Sequence, residues 1–188
     1  MKTKFIACAT ALLIATGAVA SAQDLPVFGD IYLSKTPMKQ IGDNLRAKGC
    51  AMELKDSTYN GQVVGVQLEI GPTCLGFPSS YTVALLPDTE NTMGVAVVVF
   101  PKSFESTEFK RIYSGLKEKY GKPAIEKLPF VGNKYVRWNK PSLVIELKED
   151  HMSNIGTLSY MRPELKQKSE ENLRKAEKDD SRRMNNSL

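Results

Sequence analysis

Alternation of apolar and polar residues on either side of a tight turn is the feature that most constrains this chain's fold. The turn is Asn60-Gly61, a pair that strongly favours β-hairpins. Apolar residues recur at every second position over Cys50 to Lys55 and over Gln62 to Ile70. A period of two is typical of antiparallel strands with one buried face. The sequence therefore predicts a long hairpin with one face against a core.

Five further stretches have the composition of strands, and the apolar run Gly94 to Phe100 predicts the central one. The five are Tyr81 to Leu86, Gly94 to Phe100, Lys134 to Asn139, Ser142 to Lys148 and Ile155 to Met161. We expect these inward-facing residues in the last three: Trp138, Leu143, Ile145, Leu147, Leu158 and Tyr160.

Two helices are marked by their end signals. The first is expected to start at Thr36 and end at Gly49, and the second to start at Ser103 and end at Gly121. The apolar stripe of the second comprises Phe109, Ile112, Leu116 and Tyr120, widened by Phe104 and Tyr113. The order of helix then strands, twice, predicts an α+β domain with an antiparallel sheet of six to seven strands and both helices on one face.

The first 22 residues have the pattern of a secretory signal peptide. Lys2 and Lys4 precede the apolar run Phe5 to Ala15, and Ala20-Ser21-Ala22 supplies the small residues of a cleavage site. We therefore expect a bacterial protein exported to the periplasm or secreted, with no membrane insertion of the mature chain. In that compartment nucleic acid is not an expected partner.

The predicted mature chain has two cysteines, Cys50 and Cys74. A cysteine pair in an oxidising compartment is usually a disulfide. The hairpin register supports this pairing, because paired residues have numbers that sum to about 121, which places Cys50 opposite position 71. We therefore predict a Cys50–Cys74 bridge.

Residues with catalytic chemistry are few. His151 is the only histidine and lies in a polar turn, with no Gly-x-Ser-x-Gly motif in the chain. Metal sites normally need several imidazoles or thiolates, so we expect no metal and no cofactor. No pair among the candidate carboxylates (Glu53, Glu69, Asp88, Glu90 and Glu146) is singled out for glycoside cleavage, and Glu69 and Glu146 are expected on outward strand faces. An enzyme is the less favoured interpretation.

Aromatic and basic residues near the third strand group are the candidate binding residues. They are Lys134, Tyr135, Arg137, Trp138 and Tyr160. If they share an exposed face they form a plausible binding hot spot, but Trp138 in the core is the favoured interpretation. Basic residues exceed acidic ones in Pro101 to Lys148, so an anionic partner is expected to dock there unless that charge is simply solvated.

The end of the chain, Glu164 to Leu188, differs in composition from the rest. It is dominated by charged residues, with acid-before-base pairs four residues apart that stabilise an isolated helix. We predict three parts: the signal peptide 1–22, one α+β domain over 23–163, and a charged helical or partly disordered tail over 164–188. The alternative is that the tail is a helix that docks on a partner.

The region from Phe104 to Tyr160 resembles small exported bacterial proteins of an uncharacterised family. The resemblance lies in a helix ending Tyr120-Gly121-Lys122-Pro123, a strand bearing Trp138 and a last strand reading Leu158-Ser159-Tyr160. The order of elements is also similar to β-lactamase-inhibitor folds and to small outer-membrane assembly lipoproteins. Those begin each unit with two helices where this chain shows one, so that likeness is one of fold only.

Together these patterns predict an exported binding or accessory protein that acts on another envelope protein, as an inhibitor, immunity protein or assembly factor. One alternative is a hydrolase or other enzyme acting on cell-wall or other anionic envelope material. A second alternative is a carrier of a small apolar ligand, which needs a cavity lined by Val66, Leu68, Ile112 and Leu116.

Overall fold

A computed structural model describes residues 26–28, 31–33, 36–59, 62–88, 91–168, 170, 171, 174, 178 and 182. The predicted signal peptide and the Asn60-Gly61 turn lie outside these residues. The described chain is α+β. Its strands are β1 (Pro26–Phe28), β2 (Ile31–Tyr32), β3 (Met52–Tyr59), β4 (Gln62–Ile70), β5 (Thr82–Pro87), β6 (Met93–Pro101), β7 (Ile125–Lys127), β8 (Lys134–Lys140), β9 (Leu143–Glu149) and β10 (Ile155–Met161). Its helices are α1 (Met38–Ala47), α2 (Thr107–Tyr120) and a short 3-10 helix (Pro72–Leu75).

The main sheet has eight strands in the order β3-β4-β5-β6-β10-β9-β8-β7, and β1 and β2 form a separate pair. All strand pairs in the main sheet are antiparallel. The predicted strand count of six to seven is too low, because three-residue β7 is too short to show a period. Strand β6 lies inside the sheet, as the apolar run predicts. None of the described helices is long and apolar enough to cross a bilayer.

The β3–β4 hairpin has the expected register next to its turn, where Tyr59 pairs with Gln62. A bulge between Ser57 and Thr58 shifts the rest by one residue. After β4 the chain enters the 3-10 helix, which brings Cys74 back beside Cys50 with their Cα atoms 5.7 Å apart. The predicted disulfide is confirmed.

Strand alternation divides the main sheet into two faces, which we call inner and outer. The inner face carries the core residues Leu68, Ile70, Val83, Leu85, Ala96, Val98, Phe100, Val136, Trp138, Leu143, Ile145, Leu147, Leu158 and Tyr160. The buried side chains of α1 and α2 belong to the same cluster: Ile41, Leu45, Phe109, Leu116 and Tyr120. The six inward residues expected in the last three strands are all buried there.

Helix α2 begins at Thr107, three residues later than an N-cap at Ser103 predicts. The Ser103 hydroxyl accepts a hydrogen bond from the Thr107 amide at 3.0 Å, but Ser106 occupies the N-cap position in the left-handed region, with φ 53°. Phe104 therefore lies outside the helix and does not widen its apolar stripe. The helix ends at Gly121, whose φ of 76° favours glycine, as predicted.

Candidate functional site

Three loops meet at one end of the main sheet. Residues 102–106 follow β6, residues 128–133 precede β8, and residues 150–154 join β9 to β10. The Lys102 amide donates to the Asn154 carbonyl at 3.0 Å, and the His151 amide donates to Asn133 Oδ1 at 2.7 Å. These bonds hold the three loops against one another.

Large apolar side chains project from this end into solvent. Phe104 and Phe130 are fully exposed, and Met152 is 92% exposed. Of the seven exposed large apolar residues in the described part of the chain, all but Leu54 lie at this end of the sheet. We call these six the apolar tip: Phe104, Leu128, Phe130, Val131, Met152 and Ile155. Exposed large apolar side chains that cluster on a surface are typical of an interaction site, whereas singly scattered ones are not.

A buried polar cluster lies beneath the apolar tip and links the same three loops. The Lys134 ammonium donates to Ser106 Oγ at 2.5 Å and to Glu149 Oε1 at 2.7 Å, and the Ser106 hydroxyl donates to the same carboxylate. Ser106 and Glu149 are almost fully buried. The Lys102 ammonium adds bonds of 2.9 Å to the carbonyls of Asp150 and His151.

This cluster has the residue types of a serine–lysine catalytic pair but not the required arrangement. A general base needs a free lone pair, whereas the Lys134 ammonium is donating to Ser106 and to Glu149. Ser106 as a whole is 3% exposed, so a substrate has no approach to its hydroxyl. The cluster instead fixes the positions of the loops at their base.

The five candidate binding residues do not form one surface cluster. Trp138 lies in the core, and its indole N–H donates to the Gly121 carbonyl at 2.9 Å at the end of α2. Tyr160 is also buried, and Lys134 is held on the inner face by Glu149. Only Tyr135 and Arg137 lie on the outer face. The shared-face hypothesis is therefore wrong, because neighbouring residues of a strand point to opposite faces.

Glu146 is the electrostatic centre of the outer face. It is 1% exposed and accepts a hydrogen bond from Tyr135 Oη at 2.5 Å. Lys148 and Lys166 lie 3.1 and 2.9 Å from its carboxylate, and Arg137 lies 3.4 Å away. Burial alone raises the pKa of Glu146, but the hydrogen bonds from Tyr135 and Lys166 and the charge of Lys148 outweigh it, so the pKa falls to about 2.

The same contact acts in the opposite direction on Tyr135, because burial and the Glu146 carboxylate both raise the pKa of its phenol. The sequence placed Glu146 on an outward strand face, and that is its face. It is buried nonetheless, because residues from the charged tail cover it. Composition alone predicts a charged helical or partly disordered tail there, or a helix that docks on a partner.

Other features offer little catalytic chemistry. His151 lies in an exposed turn, and the neighbouring buried carboxylates Glu146 and Glu149 are on opposite faces of β9, so they cannot act on one substrate. Among the described residues no group of three histidine, cysteine or acidic side chains is placed to hold a metal. A half-open cleft of about 520 Å³ lies beside α1, lined by Phe28, Ile31, Thr36, Ile41, Asn44, Leu45, Ala47, Lys48, Cys74 and Leu75.

Comparisons with protein-family models, with curated proteins and with solved structures found no match for this chain. The resemblance of Phe104 to Tyr160 to an exported bacterial family therefore stays a prediction.

Proposed function

We propose that this chain is an exported periplasmic binding protein that docks through its apolar tip onto another envelope protein. The observation that carries the proposal is that six of the seven large apolar side chains exposed among the described residues lie at one end of the sheet. Inhibitors, immunity proteins and assembly factors all act by this kind of contact. The proposal needs no chemical step.

The energetics of the apolar tip suit a protein groove. Burying one exposed Phe or Met side chain stabilises a complex by about 1.5–3 kcal/mol. Phe104, Phe130 and Met152 together therefore contribute about 5–9 kcal/mol, which is comparable with the cost of association. The buried Ser106–Lys134–Glu149 cluster limits loop motion before binding, so little of this energy is spent on ordering the loops.

An anionic polymer is a less suitable ligand for this end of the molecule. The ammonium groups of Lys102 and Lys134 are engaged by carbonyl and carboxylate oxygens of the chain itself. The aromatic side chains reach further into solvent than these lysines do, since Phe104 and Phe130 are fully exposed. An apolar contact surface is therefore the stronger basis for recognition.

The small-ligand alternative retains one observation, the cleft beside α1. It is not the cavity that the sequence suggested, because Leu68 and Leu116 are packed in the core cluster. Binding of an apolar dye that is blocked by a larger side chain at Asn44, and unaffected by changes in the apolar tip, is the result that would favour a carrier.

Affinity capture with matched variants tests the proposal. The mature chain, a Phe104→Ser/Phe130→Ser double variant and a Leu54→Ser control are used to capture proteins from envelope extract. Leu54 is 71% exposed but belongs to β3, away from the apolar tip. We expect a partner that the mature chain and the control retain equally, and that the double variant binds at least tenfold more weakly.

Two results would count against the proposal. One is a captured protein retained equally by all three chains. The other is selective loss of binding to protein-free lipid vesicles by the double variant, with no protein partner, which would make the apolar tip a membrane contact instead.

A further inference from the structure

The start of the charged tail lies across the outer face of the sheet. We call residues 162–168, 170 and 171 the C-terminal segment; it is helical at 163–168, 170 and 171. Lys166 Nζ lies 2.9 Å from Glu146 Oε1, and Glu170 Oε1 lies 2.5 Å from an Arg137 guanidinium nitrogen. At the other end, the Arg162 guanidinium lies 3.0 Å from the Asp88 carboxylate.

The contacts of this segment are mainly ionic. Its one described leucine, Leu165, packs on Gly94, where a Cβ atom would lie 2.9 Å from a leucine methyl carbon. The carboxylates of Glu146 and Asp88 are almost fully buried, whereas Lys166 and Arg162 stay 16% and 25% exposed. In such partly buried ion pairs the cost of desolvation offsets much of the attraction. The C-terminal segment is therefore held by specific but individually weak contacts.

Most of the groups beneath the segment belong to the sheet itself. Tyr135, Arg137 and Lys148 all contact Glu146 from within the sheet, so the buried carboxylate keeps three partners if Lys166 leaves. Loss of the segment would expose the carboxylate of Glu146. It would also leave the neighbouring Arg137 without Glu170. This is a preformed site that recognises a base and an acid one helical turn apart.

We propose that the outer face is an exchangeable docking site for a helix, occupied in the free chain by its own C-terminal segment. The partner it fits is a helix of another protein with a basic residue that pairs with Glu146 and an acidic residue four positions later that pairs with Arg137. Residues Lys166 and Glu170 mimic that partner. This site is separate from the apolar tip, so the proposal stands whether or not the tip binds a protein.

The attached segment competes with any partner at high effective concentration, of about millimolar order for a short connection. A free helix therefore binds the unmodified chain weakly, and weakening the internal contact raises its apparent affinity. This gives a direct experiment with a defined probe. The probe is a fluorescent synthetic peptide with the sequence of residues 162–176.

Three full-length mature chains are compared by fluorescence anisotropy. One is unmodified, one carries Lys166→Glu and Glu170→Lys, and one carries the matched swap Glu164→Lys and Lys168→Glu at exposed positions with the same net charge. We expect the peptide to bind the Lys166→Glu/Glu170→Lys chain at least tenfold more tightly than it binds the unmodified chain or the matched swap. A peptide carrying Lys166→Glu and Glu170→Lys itself is expected not to bind.

Hydrogen exchange on the same three chains provides the second measurement. The amides of residues 164–168 should exchange at least tenfold faster in the Lys166→Glu/Glu170→Lys chain than in the matched swap, while β9 amides are unchanged. Equal peptide affinity for all three chains overturns the proposal. Unchanged exchange at 164–168 also overturns it, because the segment would then be held by contacts other than these ion pairs.

Discussion

Removal of the Glu146 charge should destabilise the protein by an amount that depends on pH. The pKa of this carboxyl falls from 4.5 to about 2 on folding, and the group is 1% exposed, so solvent screens its contacts little. At about 1.36 kcal/mol per pKa unit, the ionised group contributes about 3 kcal/mol to the free energy of unfolding at pH 7.

The direction of the pH dependence follows from the lowered pKa of Glu146 in the folded state. A carboxyl whose pKa is lowered in the folded state adds stability above its unfolded pKa and loses it as the pH falls through the folded value. For Glu146 the contribution should be complete above pH of about 5.5, should fall by about 2 kcal/mol at pH 3 and should be nearly lost at pH 2.

The assay is urea unfolding of the unmodified chain, Glu146→Gln and a Glu118→Gln control, at pH 7 and at pH 3. Comparing variants at each pH cancels the titration of the other carboxylates. We expect Glu146→Gln to be less stable by about 3 kcal/mol at pH 7 and by about 1 kcal/mol at pH 3, and Glu118→Gln, on the exposed side of α2, to change stability by less than about 0.5 kcal/mol. A Glu146→Gln deficit that is the same at both pH values would refute the reasoning.

Two further changes test the packing of the fold. Gly156 of β10 lies opposite Phe100 of β6, and a Cβ atom there would lie 2.3 Å from two atoms of the Phe100 ring. Gly156→Ala should therefore lower the free energy of unfolding in urea by about 1–3 kcal/mol. An unchanged free energy of unfolding would mean that the ring moves freely. Reduction of the Cys50–Cys74 bridge, which spans 24 residues, should lower stability by about 3 kcal/mol in the chain-entropy model, and a melting temperature unchanged by reductant would contradict this.

Much of the fold could be predicted, because its strands follow a period of two and its two main helices are each followed closely by a glycine. The β3–β4 register followed from the turn type, and the bulge at Ser57 shifted it by only one residue. The same rule could have separated the candidate binding residues. Tyr135 and Arg137 alternate with Lys134 and Trp138, so one strand cannot place all four on one face.

The apolar tip and the outer face could not be predicted in this way. Loop residues have no periodicity. Phe104 fits the apolar stripe of α2 by its spacing alone, but the helix begins at Thr107. Lys166, whose ammonium lies on the Glu146 carboxylate, belongs to a segment whose composition predicts only a charged helical or partly disordered tail. Both features arise from contacts between segments far apart in the chain, and a single sequence contains no local signal for them.

The central claim is that the apolar tip contacts a protein in the envelope, and site-specific photocrosslinking in intact cells tests it most directly. A photoreactive phenylalanine analogue is placed at position 104 or 130, and at the exposed position 118 as a control. We predict one discrete crosslinked protein from both tip positions and none from position 118. Crosslinks to lipid alone from 104 and 130, or the same protein crosslinked equally from 118, would contradict the account.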